Sequence, residues 1–413
     1  MALVGTPTVV AVALLVVLIT AATILLWNRL PTVIRWPARA LLLVAGQLTA
    51  VLLAAVLVND NFVFYQSWSE LFGQHPRQSR PGASVGSLDA RLRPQLYRDF
   101  LAGRGTLASL PIAGLRSGVP THTALVYLPP QYGDPAYADR TFPVVELLSG
   151  FPGGPRTWVR QLHVASVLDT LILTGRAAPF IAVIPEQNVA APRDAECVNV
   201  VRGPQVDSYL SDDVRTATVR AFRAAHSGTQ WTLMGDSTGG YCAADLAFRH
   251  PQLYSAAVSI AGYNAPARDR STGDLFGGNP QLAHNFSPLW MLQHQRPPNL
   301  ALLLISSQPD LTARRATEQM VQAVRPPLRL SVLVLPRGGH NFATFAAEIP
   351  VGFSWLSRFV APPLTPLPEV DGLLPQVVTA VPRPRPCNPR PGSALVSAGC
   401  GKPAGPGGRS PGR

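Results

Sequence analysis

The chain predicts an α/β fold, a mostly parallel β-sheet with helices on both faces, preceded by two transmembrane helices. Three observations carry this. Two long apolar runs open the chain, TVVAVALLVVLITAATILLW (Thr8–Trp27) and ARALLLVAGQLTAVLLAAVLV (Ala38–Val58). Short, mostly apolar runs such as VVELL, IAVI, LALLLISS and LRLSVLVL then recur with helical segments between them. Strands that are apolar on both faces and alternate with helices belong to parallel sheets covered on both sides.

Each opening run is long enough to cross about 30 Å of hydrocarbon as a helix. No acid precedes Asp60, and the connecting segment carries Arg29, Arg35 and Arg39. Positive loops stay cytoplasmic, so this loop is expected inside and everything after Val58 outside. A cleaved signal peptide is the rival reading. It lacks a basic segment before the first run, and a second full-length run follows.

The net charge is +12, with 14% charged and 47% hydrophobic residues among 413. The basic residues are arginines apart from Lys402. No Arg-rich helix or aromatic–basic motif accompanies them, which excludes nucleic acid as the expected partner.

The expected organisation is a membrane anchor over 1–58, an interfacial segment and linker over 59–88, a catalytic domain over 89–360, and a Pro/Arg/Gly-rich disordered tail over 361–413. Within the domain, GTLASLPIAGLRSG and THTALVYLPPQY read as two antiparallel strands with a turn near Ser117-Gly118. FPVVELLSG and APFIAVIPEQ are buried strands, with a helix over Ser166–Gly175 between them. Asp207–His226 has helical spacing. GTQWTLMGDS is a strand, Gly240–His250 a helix and Ser255–Gly262 a strand. NLALLLISS and LRLSVLVLP are strands flanking a helix through Ala316–Val324. Pro350–Phe359 reads as the closing helix. The tail, rich in Pro, Gly and Arg, lacks the apolar content for a core.

The chemistry is expected at Gly-Asp-Ser-Thr-Gly (235–239), which fits G-x-S-x-G between a strand and a helix. That context is a nucleophile elbow. The turn is sharp, so Gly235 and Gly239 avoid collisions there, and Ser237 is presented at the top of the sheet. A serine hydroxyl needs a base, and in this arrangement the order is Ser, acid, His. His340, in RGGHNF after a strand, is the expected base. Asp310, in QPD after the preceding strand, is the expected acid, with Glu318 as fallback. His250 is expected to cap or pack, and His284 and His294 to be surface polar residues. The oxyanion donors are the backbone amides of Thr238 and of Phe151, in ELLSGFPGG. A GDS-type lipase does not fit, because position 337 is Arg where its D-x-x-H pattern needs Asp.

The segments VYLPPQY, ELLSGFPGG, PEQN, PRDAECVNV, GDSTGGYCAADLAFRHP and RGGHNFATFAAEIPVGFSWL resemble the esterase D and antigen 85 (mycolyltransferase-like) group of α/β-hydrolases, especially membrane-anchored actinobacterial esterases. The resemblance covers about residues 90–360. It implies the α/β-hydrolase fold and a triad of Ser237, Asp310 and His340, with Phe151 and Thr238 as oxyanion amides. Where the mycolyltransferase branch carries Asp and Arg, this chain has Ser149 and Pro152, and it has Asp310 where that branch uses Glu. The resemblance therefore implies acyl-ester chemistry without specifying trehalose as acceptor.

The expected function is a membrane-anchored serine esterase or acyltransferase at the outer face of the cell membrane, working through an acyl-serine intermediate. The expected partners are a small-molecule or lipid acyl ester and a water or sugar acceptor. No metal or organic cofactor is expected. The alternative is a catalytically silent envelope-binding protein of the same fold. The four cysteines all follow Val58, on the side expected to be oxidising. Cys387 and Cys400 are near neighbours in the tail. Cys197 and Cys242 are both expected near the carboxyl edge of the sheet, either bridged or as a free thiol and a small core residue.

Overall fold

The computed structural model describes residues 6–62, 86–361 and 378–379. Of the tail expected to be disordered only Ala361, Val378 and Thr379 are described; Cys387 and Cys400 lie outside the described residues, as do residues 63–85.

Two long helices come first, α1 (Thr6–Leu26) and α2 (Arg35–Phe62). Both are apolar and long enough to cross a membrane. They pack on each other, Gly46 facing Ile19. The Arg39 side chain closes the loop between them. Its guanidinium lies over the Trp27 ring at 4.5 Å and its Nε donates to the Trp27 carbonyl at 3.0 Å.

After helix α3 (Gly86–Leu101), the hairpin β1 (Thr106–Ile112) and β2 (His122–Leu128) forms as the pattern predicts, antiparallel and in register from Thr106↔Leu128 to Ile112↔His122. The rest of the sheet comprises β3 (Val144–Leu148), β4 (Ile181–Ile184), β5 (Trp231–Asp236), β6 (Ala256–Ile260), β7 (Ala301–Ser307), β8 (Arg329–Leu335) and the short β9 (Val378–Thr379). Their spatial order is β1-β2-β4-β3-β5-β6-β7-β8-β9. From β4 to β8 every pairing is parallel, while β2 against β4 and β9 against β8 are antiparallel.

Adjacent residues of the central strands enter two different cores. Val144, Leu233 and Leu302 face one side, Val145, Met234 and Leu303 the other. This is why the strands read as unbroken apolar runs: the pleat sends neighbours to opposite faces, and both faces are covered. On the first side lie α6 (Val206–Ser208, a π-helical stretch Tyr209–Val214, then Arg215–Ala221) and α7 (Thr238–Arg249). On the second lie α4 (Pro155–Arg160), α5 (Val164–Leu173) and, later in the chain, a closing helix. Each fully buried Leu or Ile contributes about 1.5–3 kcal/mol relative to exposure.

The structure departs from the sequence pattern at four places. Helix α3 begins at Gly86, inside the segment read as linker. Helix α6 stops at Ala221 instead of His226, because the Phe142 amide donates to the Arg223 carbonyl and the Ala225 amide to the Phe142 carbonyl, drawing the chain out beside the start of β3. Two short helices, α8 (Pro280–His284) and α9 (Pro288–His294), occupy a stretch for which the sequence pattern predicts no element. Each has Pro at its first turn and a capping side chain, Asn279 or Ser287, so the Asn-Pro and Ser-Pro pairs carried the signal. After α10 (Leu311–Ala323), the closing helix α11 runs Phe342–Leu356 rather than from Pro350. Asn341 supplies its true N-cap, accepting from the Thr344 amide at 3.0 Å, and Pro350 sits inside the helix.

Candidate active site

Strand β5 delivers the chain to Ser237, whose backbone has φ 55° and ψ −120°, and α7 begins at the next residue. This is a strained conformation for a residue with a side chain. Surrounding backbone over-determines it: the Ser237 amide donates to the Ile260 carbonyl of β6 at 2.8 Å. A Cβ on Gly239 would lie 2.1 Å from the Leu148 carbonyl oxygen, and one on Gly235 would lie 2.0 Å from that of Gly239. Only glycine permits α7 to pack this tightly against β3 and β5.

The Ser237 Oγ lies 2.8 Å from His340 Nε2. The loop after β8 carries His340, whose ring edge meets Phe345 at a 5.2 Å centroid distance. On the other side of the ring, Nδ1 lies 2.7 Å from Asp310 Oδ2. Asp310 follows β7 and is buried, and its second oxygen accepts from the Ala313 amide, capping α10. One carboxylate thus orients the imidazole and ends a helix. The three side chains come from three strand ends at the carboxyl edge of the sheet, where parallel α/β sheets place their sites.

The other candidates are elsewhere. Glu318 pairs with Arg314 on the surface of α10 at 3.0 Å. His250 is the C-cap of α7, its amide donating to the Leu246 carbonyl at 2.8 Å, while its Nε2 lies 2.9 Å from Asp207, which Arg249 also engages. Burial alone would raise the Asp207 carboxyl, but the His250 hydrogen bond and the Arg249 charge prevail and hold it below its ordinary value. His284 and His294 do more than decorate the surface: they stack on the two sides of Trp290, at 4.7 and 4.5 Å.

Phe151 follows β3 and shares with Ser237 and His340 a small cleft of about 80 Å³, walled also by Pro152, Phe342 and Phe345. Among the described residues no backbone acceptor takes the amide of Phe151 or of Thr238. Phe151 lines the cleft with Ser237, Thr238 follows Ser237 in the chain, and among the described residues neither amide has a competing backbone partner.

Sequence reasoning passed over three supports. Asp236, the variable residue of the motif, is buried and accepts from the Gly150 amide at 3.3 Å. Burial pushes its carboxyl up to about 7. Tyr263 donates to Glu196 at 2.6 Å and meets the Thr238 hydroxyl at 3.1 Å, so a buried hydrogen-bonded set lies under the start of α7. Burial and the neighbouring Asp194 push Glu196 up to about 8. Gln187 and Asn188, in the loop after β4, reach the Ser149–Gly153 turn. None of these carries a local signal, because each acts across elements distant in sequence.

Cys197 and Cys242 form a disulfide with Cα atoms 5.8 Å apart. It fastens the loop after β4 to α7, five residues beyond Ser237.

This architecture is that of an α/β-hydrolase with a serine at its elbow. The chain belongs to the esterase family described as "Putative esterase", whose model matches residues 121–354. An uncharacterized protein of Corynebacterium glutamicum is 24% identical over 327 residues, covering 75% of this chain and 76% of that one. Among solved structures, a ferulic acid esterase superposes with a TM-score of 0.53 at 17% identity, over 62% of this chain and 98% of its own. An S-formylglutathione hydrolase from Agrobacterium tumefaciens gives 0.51 at 17% identity, over 62% and 95%. The fold is what this chain shares with the two solved structures.

Proposed function

We propose that the protein is a membrane-anchored serine esterase or acyltransferase acting on acyl esters at the outer face of the cell membrane. The observation that carries this is the continuous relay Ser237–His340–Asp310, at 2.8 and 2.7 Å, in the fold of an esterase family.

The chemistry follows from the geometry. The Ser237 Oγ attacks the ester carbonyl carbon as His340 Nε2 takes its proton, and Asp310 stabilises the resulting imidazolium. The carbonyl oxygen becomes an oxyanion facing the Phe151 and Thr238 amides; one such donor is typically worth about 2.7–4 kcal/mol in the transition state. Collapse expels the alkoxide, which takes the proton from His340 and leaves an acyl-serine. Water or a sugar hydroxyl then attacks, with His340 again the base, and returns Ser237. Hydrolase and transferase differ only in which hydroxyl arrives.

Two apolar helices support the anchor, and the Arg29, Arg35 and Arg39 loop supports an outward-facing domain. The Cys197–Cys242 disulfide supports the same side, since such bonds persist in oxidising compartments.

The test is turnover of a nitrophenyl ester series, with and without sugar acceptors, together with fluorophosphonate labelling. Labelling of wild type but not Ser237→Ala, with turnover lost in both Ser237→Ala and His340→Ala, is expected. Wild-type protein that neither labels nor turns over any ester would instead identify the silent envelope-binding protein.

A further inference from the structure

The turn that carries Phe151 is held largely from outside itself. Ser149–Gly154 follows β3 and contains three glycines, and α4 does not begin until Pro155. Side chains hold six of its polar backbone groups. The Ser149 carbonyl accepts from Gln187 Nε2 at 2.7 Å. The Gly150 and Gly153 carbonyls both accept from Asn188 Nδ2, the second at close range. The Gly154 carbonyl accepts from Ser149 Oγ at 2.9 Å. The Gly150 amide donates to Asp236 Oδ2 and the Gly154 amide to Thr157 Oγ1.

Two of these holding side chains are adjacent in PEQN, the loop after β4, and both are buried. They are themselves fixed. The Asn188 amide donates to Glu186 Oε1 at 3.0 Å, and Gln187 Nε2 also contacts the Cys242 sulfur at 3.7 Å, within the disulfide beside α7. Among the described residues Gln187 Oε1 is buried without a hydrogen-bond partner, so the side chain's hydrogen bonds run through its nitrogen. A buried unpaired amide oxygen costs free energy, and the bond to the Ser149 carbonyl is what the arrangement obtains.

The geometry points to Gln187 and Asn188 as positioning residues of the oxyanion hole: they hold the Ser149–Gly153 carbonyls so that the Phe151 amide stays aimed beside Ser237. The inference rests on the esterase reading above and adds to it. An oxyanion donor acts only if it is already in place when charge develops, and a turn of glycines has no intrinsic preference for one conformation. Neither residue touches the acyl group, so their loss acts on the transition state more than on ester binding.

Gln187→Met and Asn188→Asp remove the donors at near-constant volume. They are assayed in the full-length protein in lipid nanodiscs with nitrophenyl acetate, rates being normalised to the Ser237 that a fluorophosphonate titrates. A simple alkyl boronic acid, which forms an anionic tetrahedral adduct on serine, reports the oxyanion site directly. In each variant kcat is expected to fall about 10- to 100-fold, boronate affinity to fall by the same factor, and KM to change less than about threefold. Asn188→Ala takes the place of Asn188→Asp if the added charge prevents folding. Variants with wild-type normalised kcat and boronate affinity overturn the inference and leave the esterase reading standing, as does a loss confined to the titratable fraction. A wild type without turnover or labelling overturns both.

Discussion

Asp310→Asn isolates the charge and the proton-accepting oxygen that the relay needs. In the native site Oδ2 accepts from His340 Nδ1 at 2.7 Å while Oδ1 accepts from the Ala313 amide at 3.2 Å. An asparagine has only one acceptor oxygen for these two donors. If the oxygen keeps the α10 cap, the amide NH₂ faces Nδ1. The imidazole must then carry its proton on Nε2, where it cannot accept from Ser237. If the oxygen turns to the imidazole, the helix loses its cap, a cost of about 0.5–2 kcal/mol, and no charge remains to stabilise the imidazolium. Either way turnover is expected to fall about 10⁴-fold, equivalent to about 5.4 kcal/mol at 1.36 kcal/mol per tenfold. The assay is steady-state hydrolysis of nitrophenyl acetate, with the circular dichroism melt recorded in parallel to detect the lost cap. Glu318→Gln is the control, since Glu318 sits on the surface paired with Arg314. A fall of less than tenfold for Asp310→Asn, or a greater loss for Glu318→Gln, refutes the assignment of the acid.

Three further outcomes are expected. The Cys197–Cys242 bridge closes a sequence separation of 45 residues, for which the loop-entropy relation gives about 4 kcal/mol of stabilisation; reduction, or Cys197→Ala with Cys242→Ala, should lower the melting temperature, and an unchanged melt refutes the estimate. Burial pushes the carboxyls of Glu146, Glu196 and Glu348 up to about 8 from an ordinary 4.5. Because the folded state holds these protons more tightly, the stability they support is full below about pH 4.5 and is lost as the pH rises through about 8. The melting temperature should decline over that interval and Glu196→Gln should flatten the decline; a melting temperature rising steadily toward pH 8 refutes it. Protease added to intact cells should reach the catalytic domain and leave the Arg29–Arg39 loop protected, whereas active enzyme recovered only from the cytosol contradicts the outward-facing anchor.

Much of the fold is legible in the sequence because its signals are local. Runs such as VVELL and LALLLISS are apolar except at Glu146, Ser306 and Ser307, and the structure places apolar neighbours along β3 and β7 in opposite cores. The elbow is legible for the same reason: Gly235, Ser237 and Gly239 are neighbours in the chain, and the backbone collisions that demand glycine arise within a few residues and from the adjoining strand end. His340 and Asp310 are identifiable by order, since each follows a recognisable strand and parallel strands all end at one edge of the sheet. Helix ends are less legible. Pro350 reads as a helix start, yet Asn341 caps α11 earlier, and α6 ends where pairing with Phe142 outcompetes its own helical hydrogen bonds.

What the tertiary structure alone decides is which distant side chains support the turn. Gln187 and Asn188 stand some 35 residues beyond Ser149–Gly153 in the chain, yet their amides hold its carbonyls. Asp236 lies 86 residues after the Gly150 amide it accepts from. The bonding of Cys197 to Cys242, left open by the sequence, is settled in the same way. A cysteine, a glutamine or an aspartate carries no local mark of its partner, because hydrogen bonds and disulfides depend on where parallel strands, several connections apart, bring their loops together. The sequence by itself determines the strands, the elbow and the order Ser237, Asp310, His340, since periodicity and backbone sterics act over a few residues. Only packing of the sheet decides how these groups meet and what holds them there.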